Sequence, residues 1–439
     1  MLEAISSFIW SQYLLIPLLG ITGIYLTVGL RFLPWRNLAY ALTLVVKRES
    51  GSQDGDISPF QALATALSAT VGTGNIAGVA TAIYAGGPGA VFWMWVIALF
   101  GMATKYAEAV LAVHFRQRDA NGNFTGGPMV YIRQGLGESW QWMASAFAVF
   151  AAIAAFGIGN TVQANSVADA LESAFSVPPW VTGVVAAIVI AAVVLGGISR
   201  IAKVAASVVP AMAGIYVIAA LAIIAMHFGE LPTAFALIIK GAFSGTAASG
   251  GFLGATVWMA LRFGVARGIF SNESGLGSAA IAHAAARTSS PTRQGMIAML
   301  GTFIDTICIC TLTALVILVT GVWNGGEQGA AMSTAAFSAA FGGVGSAFIA
   351  VGLVAFAFTT MIGWSYYGER SVVYLFGVKA VLPFRLLWIA AALLGAIAEL
   401  DLVWILADIF NGLMAIPNLI ALLVLSPLVF RLTREATDR

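Results

Sequence analysis

Ser68-Ala-Thr-Val-Gly-Thr-Gly-Asn-Ile-Ala-Gly78 and Arg267-Gly-Ile-Phe-Ser-Asn-Glu-Ser-Gly-Leu-Gly-Ser278 each lie inside an apolar segment of the chain. Crossing a bilayer takes about 20 mainly apolar residues. Glycine costs about 1 kcal/mol in a helix interior relative to alanine. Here Gly, Ser, Thr and Asn gather in mid-span, where their side chains compete for backbone hydrogen bonds. Close packing through small residues explains many membrane glycines. It does not call for the amides of Asn75 and Asn272 or the carboxylate of Glu273. The pattern predicts two discontinuous helices whose freed amides and carbonyls form a solute and ion site.

The composition surrounding them is that of a membrane domain. Of 439 residues, 60% are hydrophobic and 9% charged, with 48 glycines; a soluble domain carries roughly 25% charged residues. Apolar segments fall at 9–30, 58–85, 89–115, 139–165, 180–198, 203–227, 255–286, 294–321, 342–368, 382–399 and 403–430. The expectation is an all-α polytopic protein of eleven spans. Residues 1–8 hold Glu3 and no Lys or Arg, and 9–30 is long enough to span, so no cleaved signal peptide is expected.

Charge tests the count. With 31–57 placed inside, alternation puts Arg31, Arg36, Lys47, Arg48, Arg116, Arg118, Arg133, Arg200, Lys203, Arg287, Arg293, Arg370, Lys379, Arg385, Arg431, Arg434 and Arg439 on one side. That side is expected to be cytoplasmic, with the N-terminus outside and the C-terminus inside. The opposite connections, around 86–88, 166–179, 228–254, 322–341 and 400–402, carry Asp169, Glu172, Glu230, Glu327, Asp401 and Lys240. Leu231–Ile239 reads as a short outer-surface helix and Arg36–Val46 as an amphipathic inner one. Setting 9–30 aside as an extra N-terminal helix, the broken segments are first and sixth of the remaining ten. Two five-helix units follow, 58–227 and 255–430, inverted because each has an odd number of spans. All lie in one transmembrane domain, 1–439.

In the Thr70–Asn75 break, free carbonyls suit sodium and free N–H groups suit a carboxylate. Asp305 is the clearest isolated charge within a span and must be paired, protonated or cation-bound; Thr302 and Thr306 flank it. Its candidate structural partner is Arg267 or a helix-break amide. Thr359 and Thr360 can complete a sodium shell with carbonyls near Ser68 and Val71, or bond back to their own helix. Trp364 and Ser365 follow one turn later. Asn160 and Gln163 share a face and point to a polar lumen that Phe156 can wall. Lys105 and Glu108 read as an intrahelical or gate salt bridge. Cys308 and Cys310 diverge on a helix, and His114, His227 and His283 are scattered, so neither a disulfide nor a Cys/His metal centre is expected. No HExxH, P-loop or hydrolytic triad pattern points to an enzyme. The dispersed bases give no nucleic-acid surface.

The residues resemble the alanine or glycine:cation symporter family, also called the sodium:alanine symporters. The likeness rests on Gly72–Gly78, Gly86-Gly-Pro-Gly-Ala90, Lys105-Tyr-Ala-Glu108, Gly126-Gly-Pro-Met129 and Gly159-Asn-Thr-Val-Gln-Ala-Asn165. It continues in Gly264–Ser278, Asp305-Thr306 and Ile362-Gly-Trp-Ser-Tyr-Tyr-Gly-Glu369. One departure is Ser274, where alanine is usual. The resemblance implies two inverted five-helix repeats of the amino acid–polyamine–organocation type. It also implies sodium-driven uptake of alanine or glycine across a prokaryotic inner membrane.

By that likeness Thr73, Gly74, Asn75, Ser271, Asn272 and Gly275 hold the amino acid, with Phe156, Asn160, Gln163 and Trp364 about it. Likeness of Val71–Asn75 to the neurotransmitter:sodium symporters implies one sodium at Ser68, Val71, Thr359 and Thr360. A second is assigned to Thr70, Asn75 and Asp305. No cofactor is expected beyond the co-transported sodium; the partners are a small neutral amino acid and membrane lipids. A proton-coupled carrier using Asp305 or Glu273, and a sensor or channel, are the alternatives.

Overall fold

The structure is a computed structural model and describes residues 2–11, 13–47, 54–247, 250, 252–398 and 401–437. Arg48 and Arg439, counted above among the inner charges, lie outside the described residues. So do residue 12 of 9–30, residue 399 of 382–399, and parts of the 31–57, 228–254 and 400–402 connections.

The chain is almost entirely helical. It opens with α1 (Leu2–Ile9), α2 (Leu15–Gly29), α3 (Leu33–Arg36) and α4 (Leu38–Val46). The first broken span is α5 (Pro59–Thr70), a π-helical turn over Gly74–Gly78, and α6 (Val79–Gly86). Next come α7 (Gly89–His114), a two-stranded antiparallel hairpin of β1 (Gln117–Arg118) and β2 (Phe124–Thr125), and α8 (Pro128–Leu136). Then follow α9 (Gln141–Phe156), α10 (Val162–Phe175), α11 (Pro179–Val194), α12 (Gly197–Met226) and α13 (Leu231–Ser244). The second interrupted pair is α14 (Val257–Asn272) and α15 (Ser278–Ala284). α16 (Pro291–Thr302) runs through a π-helical segment, Phe303–Cys310, into α17 (Thr311–Val319). The chain closes with α18 (Gly329–Phe341), α19 (Gly343–Phe376), α20 (Val381–Ile397) and α21 (Asp401–Thr437).

Among the described residues, seven helices are long and apolar enough to cross a membrane, or eight when the α5–α6 pair counts as one bent span. α2 and α11 are shorter apolar helices. The molecule is thus an all-α polytopic membrane protein. Each expected apolar stretch contains helix, and the two predicted short helices occur as α4 and α13. α8, nearly all of α1, and α18 fall outside the expected segments. The 322–341 connection contains α18, whose Ser333 Oγ donates to the Ile76 carbonyl at 2.9 Å and so covers the first break. Its alanine-rich sequence carries no amphipathic stripe to announce it.

Local chemistry starts and stops these helices. Ser58 caps α5 in a reciprocal box with Gln61, and Pro59 follows at the first helical position. Thr256 and Ser290 cap α14 and α16 by accepting from Met259 N and Arg293 N. α7 lies at the centre, packed on both α14 and α16. A Cβ at Gly264 would meet Trp93 Cβ at 2.7 Å, so the α7–α14 contact tolerates no side chain there.

Candidate functional site

Both breaks are real, and an asparagine maintains each. α5 and the helix after it bend by 54°. In a continuous helix the Ser68 carbonyl would accept from Gly72 N–H. Asn75 Oδ1 takes that N–H instead at 2.8 Å, so the Ser68 carbonyl loses its donor. Asn272 does the same in the second break, where its Oδ1 accepts Ser274 N–H at 2.9 Å. Glu273 then turns left-handed with φ 56°, and Gly275 and Gly277 follow at φ 93° and 78°. Glycine is the residue that tolerates such angles.

Both breaks are pinned to one segment of π-helix. Asn75 Nδ2 donates to Asp305 Oδ1 at 2.7 Å. Ser271 Oγ and Thr306 Oγ1 both donate to Asp305 Oδ2 at 2.8 Å. Asn272 Nδ2 donates to Thr306 Oγ1 at 3.0 Å. All five residues are buried. Of the two expected structural partners, Asp305 takes the helix-break amide of Asn75, while the Arg267 guanidinium lies over the Phe270 ring.

Cys310 was not anticipated here. Its Sγ lies 3.3 Å from both Asn75 Nδ2 and Ser271 Oγ. A π-helical turn sets residues five apart on one face, which brings Cys310 beside Asp305. Standard helical spacing could not predict it.

The expected sodium residues come together in part. Thr360 Oγ1 abuts the Cα of Gly72 so closely that a Cβ at Gly72 would overlap it. Gly363, on the same helix, lies against Ser68 and Ala69. Thr359 and Thr360 hydroxyls both donate to the Phe356 carbonyl, at 2.9 and 3.0 Å. Ser68 Oγ donates to the Thr65 carbonyl at 2.7 Å, and Thr70 Oγ1 to Ala66 at 3.2 Å. Val71 is extended, with ψ 90°.

Other expected residues divide. Trp364 Nε1 donates to Glu273 Oε1 at 2.9 Å, and its base is held so near Gly159 that no side chain fits there. Asn160 Nδ2 donates to the Trp388 carbonyl at 2.8 Å and Gln163 Nε2 to the Ile158 carbonyl at 2.9 Å. Asn160 Oδ1, Gln163 Oε1 and Thr73 Oγ1 are buried without a partner among the described residues. Phe156 instead packs with Phe384 and Trp388, ring centroids 5.4 and 5.2 Å away on α20. Gly275 is engaged by the protein: its N–H donates to Glu108 and its carbonyl accepts from Asn418 Nδ2 at 2.9 Å.

Lys105 and Glu108 do not form the expected salt bridge. Lys105 Nζ donates to the Glu273 carbonyl at 3.1 Å. Glu108 Oε1 accepts Gly275 N–H and Gly277 N–H, both at 3.0 Å, and Asn418 Nδ2 at 2.7 Å. Tyr131 hydroxyl in turn donates to Asn418 Oδ1. The amides freed by the second break are thus filled by an internal carboxylate. Ser274, the departure noted above, bonds Thr302 Oγ1 at 2.8 Å.

A cavity of about 840 Å³ descends to Thr73, lined by Thr81, Asp169, Glu327, Thr334 and Trp404 among others. Beyond the N-terminal end of α5 lies an ionic cluster. There Arg370 pairs with Asp119 at 2.8 Å and Glu369 at 2.7 Å, and Arg385 pairs with Glu369 at 2.6 Å. Arg116 donates to the Ala284, Ala286, Asp54 and Thr288 carbonyls, capping α15 where a cation is favoured. Burial raises the Asp56 carboxyl above the usual range, opposed by the Phe124 N–H that it accepts.

The whole chain, residues 1–439, matches the model of the sodium:alanine symporter family, and the chain belongs to that family. It is 50% identical over 445 residues to the sodium/alanine symporter AgcS of Methanococcus maripaludis, covering 100% of this chain and 97% of that one. It is 51% identical over 441 residues to an uncharacterized transporter of Haemophilus influenzae, covering 100% and 96%. Among solved structures it is similar in fold to MhsT in complex with L-phenylalanine. The TM-score there is 0.56 at 14% identity, over 88% of this chain and 99% of that chain. A manganese transporter of Eremococcus coleocola gives 0.54 at 16% identity, over 84% and 77%.

Proposed function

With membership of the sodium:alanine symporter family as the premise, we propose that this protein carries alanine or glycine inward with sodium by alternating access. The observation that carries the mechanism is the meeting of both broken helices on Asp305. One carboxylate there can respond to a cation and to the position of each half-helix. The amino acid lies between the breaks, against Thr73, Gly74, Asn75, Ser271, Asn272 and Trp364. Its carboxylate uses the first break, because Glu108 already fills the amides of the second. Asn160 and Gln163 offer their unpartnered oxygens to the lumen. Phe156 and Gly275 support the site from behind.

Sodium lies at the Ser68 and Val71 carbonyls with Thr359 and Thr360, whose hydroxyls turn from the Phe356 carbonyl to the ion. A second cation lies by Thr70 and Asp305. The arrangement has the form of an outward-facing state, with the large cavity reaching the first break and the ionic seal closing the other end.

The finer architecture is eleven spans, with α2 additional and repeats at 58–227 and 255–430. Helices in all eleven apolar stretches and breaks at the first and sixth of the last ten support it. The N-terminus is outside and the C-terminus inside a prokaryotic inner membrane. Arg116, Arg118, Arg287, Arg370 and Arg385, from or beside three connections, gather at one end and support that direction.

The test is alanine uptake into proteoliposomes with an inward sodium gradient. Replacing sodium by potassium should abolish accumulation; uptake unchanged by the swap defeats the proposal. Proton coupling is a second reading, favoured by the burial of Glu108, Glu273 and Asp305 near the buried Lys105. Uptake driven by a pH gradient without sodium would select it.

A further inference from the structure

A cavity of about 520 Å³ lies where the C-terminal ends of α2 and α21 meet α3, far from the helix breaks. Among the described residues its lining includes Arg31, Arg36, Asn37, Phe430, Thr433 and Arg434, and no Asp or Glu. The shape is built in. A Cβ at Gly29 would overlap the Phe430 ring, so α2 and α21 touch directly. Beyond Gly29 the chain reverses through two left-handed residues, Arg31 at φ 53° and Phe32 at φ 59°. Each such residue costs about 1–2 kcal/mol, and the turn sets Arg31 and Arg36 around one space.

The charges there are unmet. Among the described residues neither Arg31 nor Arg36 makes a side-chain hydrogen bond or ion pair, and Arg434 makes one long bond to the Phe430 carbonyl at 3.4 Å. All three arginines are exposed, so water solvates them when the cavity is empty, but three guanidinium groups around one cavity favour an anion between them, and guanidinium matches phosphate geometry. The surroundings indicate which anion. Trp35, Phe32 and Tyr40 stand exposed beside the cavity, as aromatic side chains do at a membrane interface. Leading away from it along α2, Ile21, Ile24, Tyr25 and Val28 form an exposed apolar strip. A free phosphate uses the arginines only; a lipid uses both arginines and strip.

We propose that this cavity is a headgroup site for an anionic phospholipid. Arg31, Arg36 and Arg434 hold its phosphodiester, and its acyl chains lie along the exposed face of α2. The site requires only that α2 and α21 cross the bilayer, so it stands whether or not the transport reading does.

Native mass spectrometry of the purified full chain, titrated with dioleoyl phosphatidylglycerol or dioleoyl phosphatidylcholine, tests it. Wild-type protein should retain the anionic lipid selectively. The variant R31Q/R36Q should bind it about tenfold or more weakly, with phosphatidylcholine binding unchanged. The control K203Q/K379Q, which removes the same charge from exposed sites elsewhere, should behave as wild type. Arg31 and Arg36 have no bonds to the fold, so melting in phosphatidylcholine should be unaltered; R434Q is the second variant, expected to weaken retention alone. Equal retention by wild type and R31Q/R36Q, or no preference for the anionic lipid, overturns the proposal. So does stabilisation by inorganic phosphate that phosphatidylglycerol fails to give.

Discussion

Asn75 and Asp305, separated by 230 positions in sequence, meet through a 2.7 Å hydrogen bond from Nδ2 to Oδ1. The same asparagine holds Gly72 N–H with its other terminal atom. One side chain therefore keeps the first helix open and ties the opening to the carboxylate that also receives Ser271 and Thr306. A change at Asp305 is sensed by both breaks.

Asp305→Asn should for this reason be severe. The carboxylate accepts from three side-chain donors, whereas an amide must turn an N–H toward one of them. An unsatisfied buried group costs about 1–3 kcal/mol, and the charge available to a cation is lost. Sodium-driven alanine uptake is expected to fall at least about tenfold, with protein still recovered folded. Wild-type uptake in this variant removes Asp305 from the ion path.

Thr360→Val keeps shape and removes the hydroxyl that abuts Gly72. The sodium concentration for half-maximal uptake should rise about tenfold, the equivalent of about 1.4 kcal/mol. The maximal rate at saturating sodium should change much less. A lowered maximal rate with unchanged sodium dependence counts against a sodium ligand at this position.

Glycines offer a contrast within one class of substitution. Gly159→Ala would drive a methyl into the base of Trp364, and Gly72→Ala into the Thr360 hydroxyl. Both should reduce uptake strongly. Gly352, in the middle of α19, has nothing within 4 Å of an added Cβ. Gly352→Ala should leave transport intact and stabilise the helix by about 0.5–1 kcal/mol. Thermal melting and uptake of the three variants, measured together, check this.

Glu369 joins Arg370 on its own helix to Arg385 on α20. Glu369→Gln leaves two buried or half-buried guanidinium groups short of a carboxylate, a loss of about 3–5 kcal/mol when such a pair is broken. The sealed end should open more often. Cys310, buried beside Asn75, reports it: in a Cys308→Ser background, alkylation from that side should be several-fold faster. Sodium with alanine should slow it. Equal alkylation rates with and without the substitution would show that this network is not the seal.

Both breaks could be located from sequence because glycine and asparagine in mid-span are costly in a lipid-facing helix. Asn75, Asn272 and Asp305 could be singled out because a polar group without water must find a partner. What could not be read was which partner. Glu108 was matched to Lys105, its helical neighbour, yet its carboxylate fills the amides of Gly275 and Gly277 on another helix. Cys310 carries no signal toward Asp305 in the sequence, since five residues apart is off one face of an α-helix, while the local backbone is π-helical. α18 is not legible in the sequence, because its small residues pack against the first break rather than presenting a periodic face.

The sequence by itself determined that this chain lives in a membrane, where most of its long helices run, and where two of them fail. Each follows from local composition, since burying backbone polar groups in lipid is decided residue by residue. Only the tertiary structure decided that both failures converge on Asp305, that one nest of amides is already taken, and that three arginines surround one cavity at the end of α2. Those relationships join residues on different helices, far apart in the chain, and their energies depend on distances that no local pattern encodes.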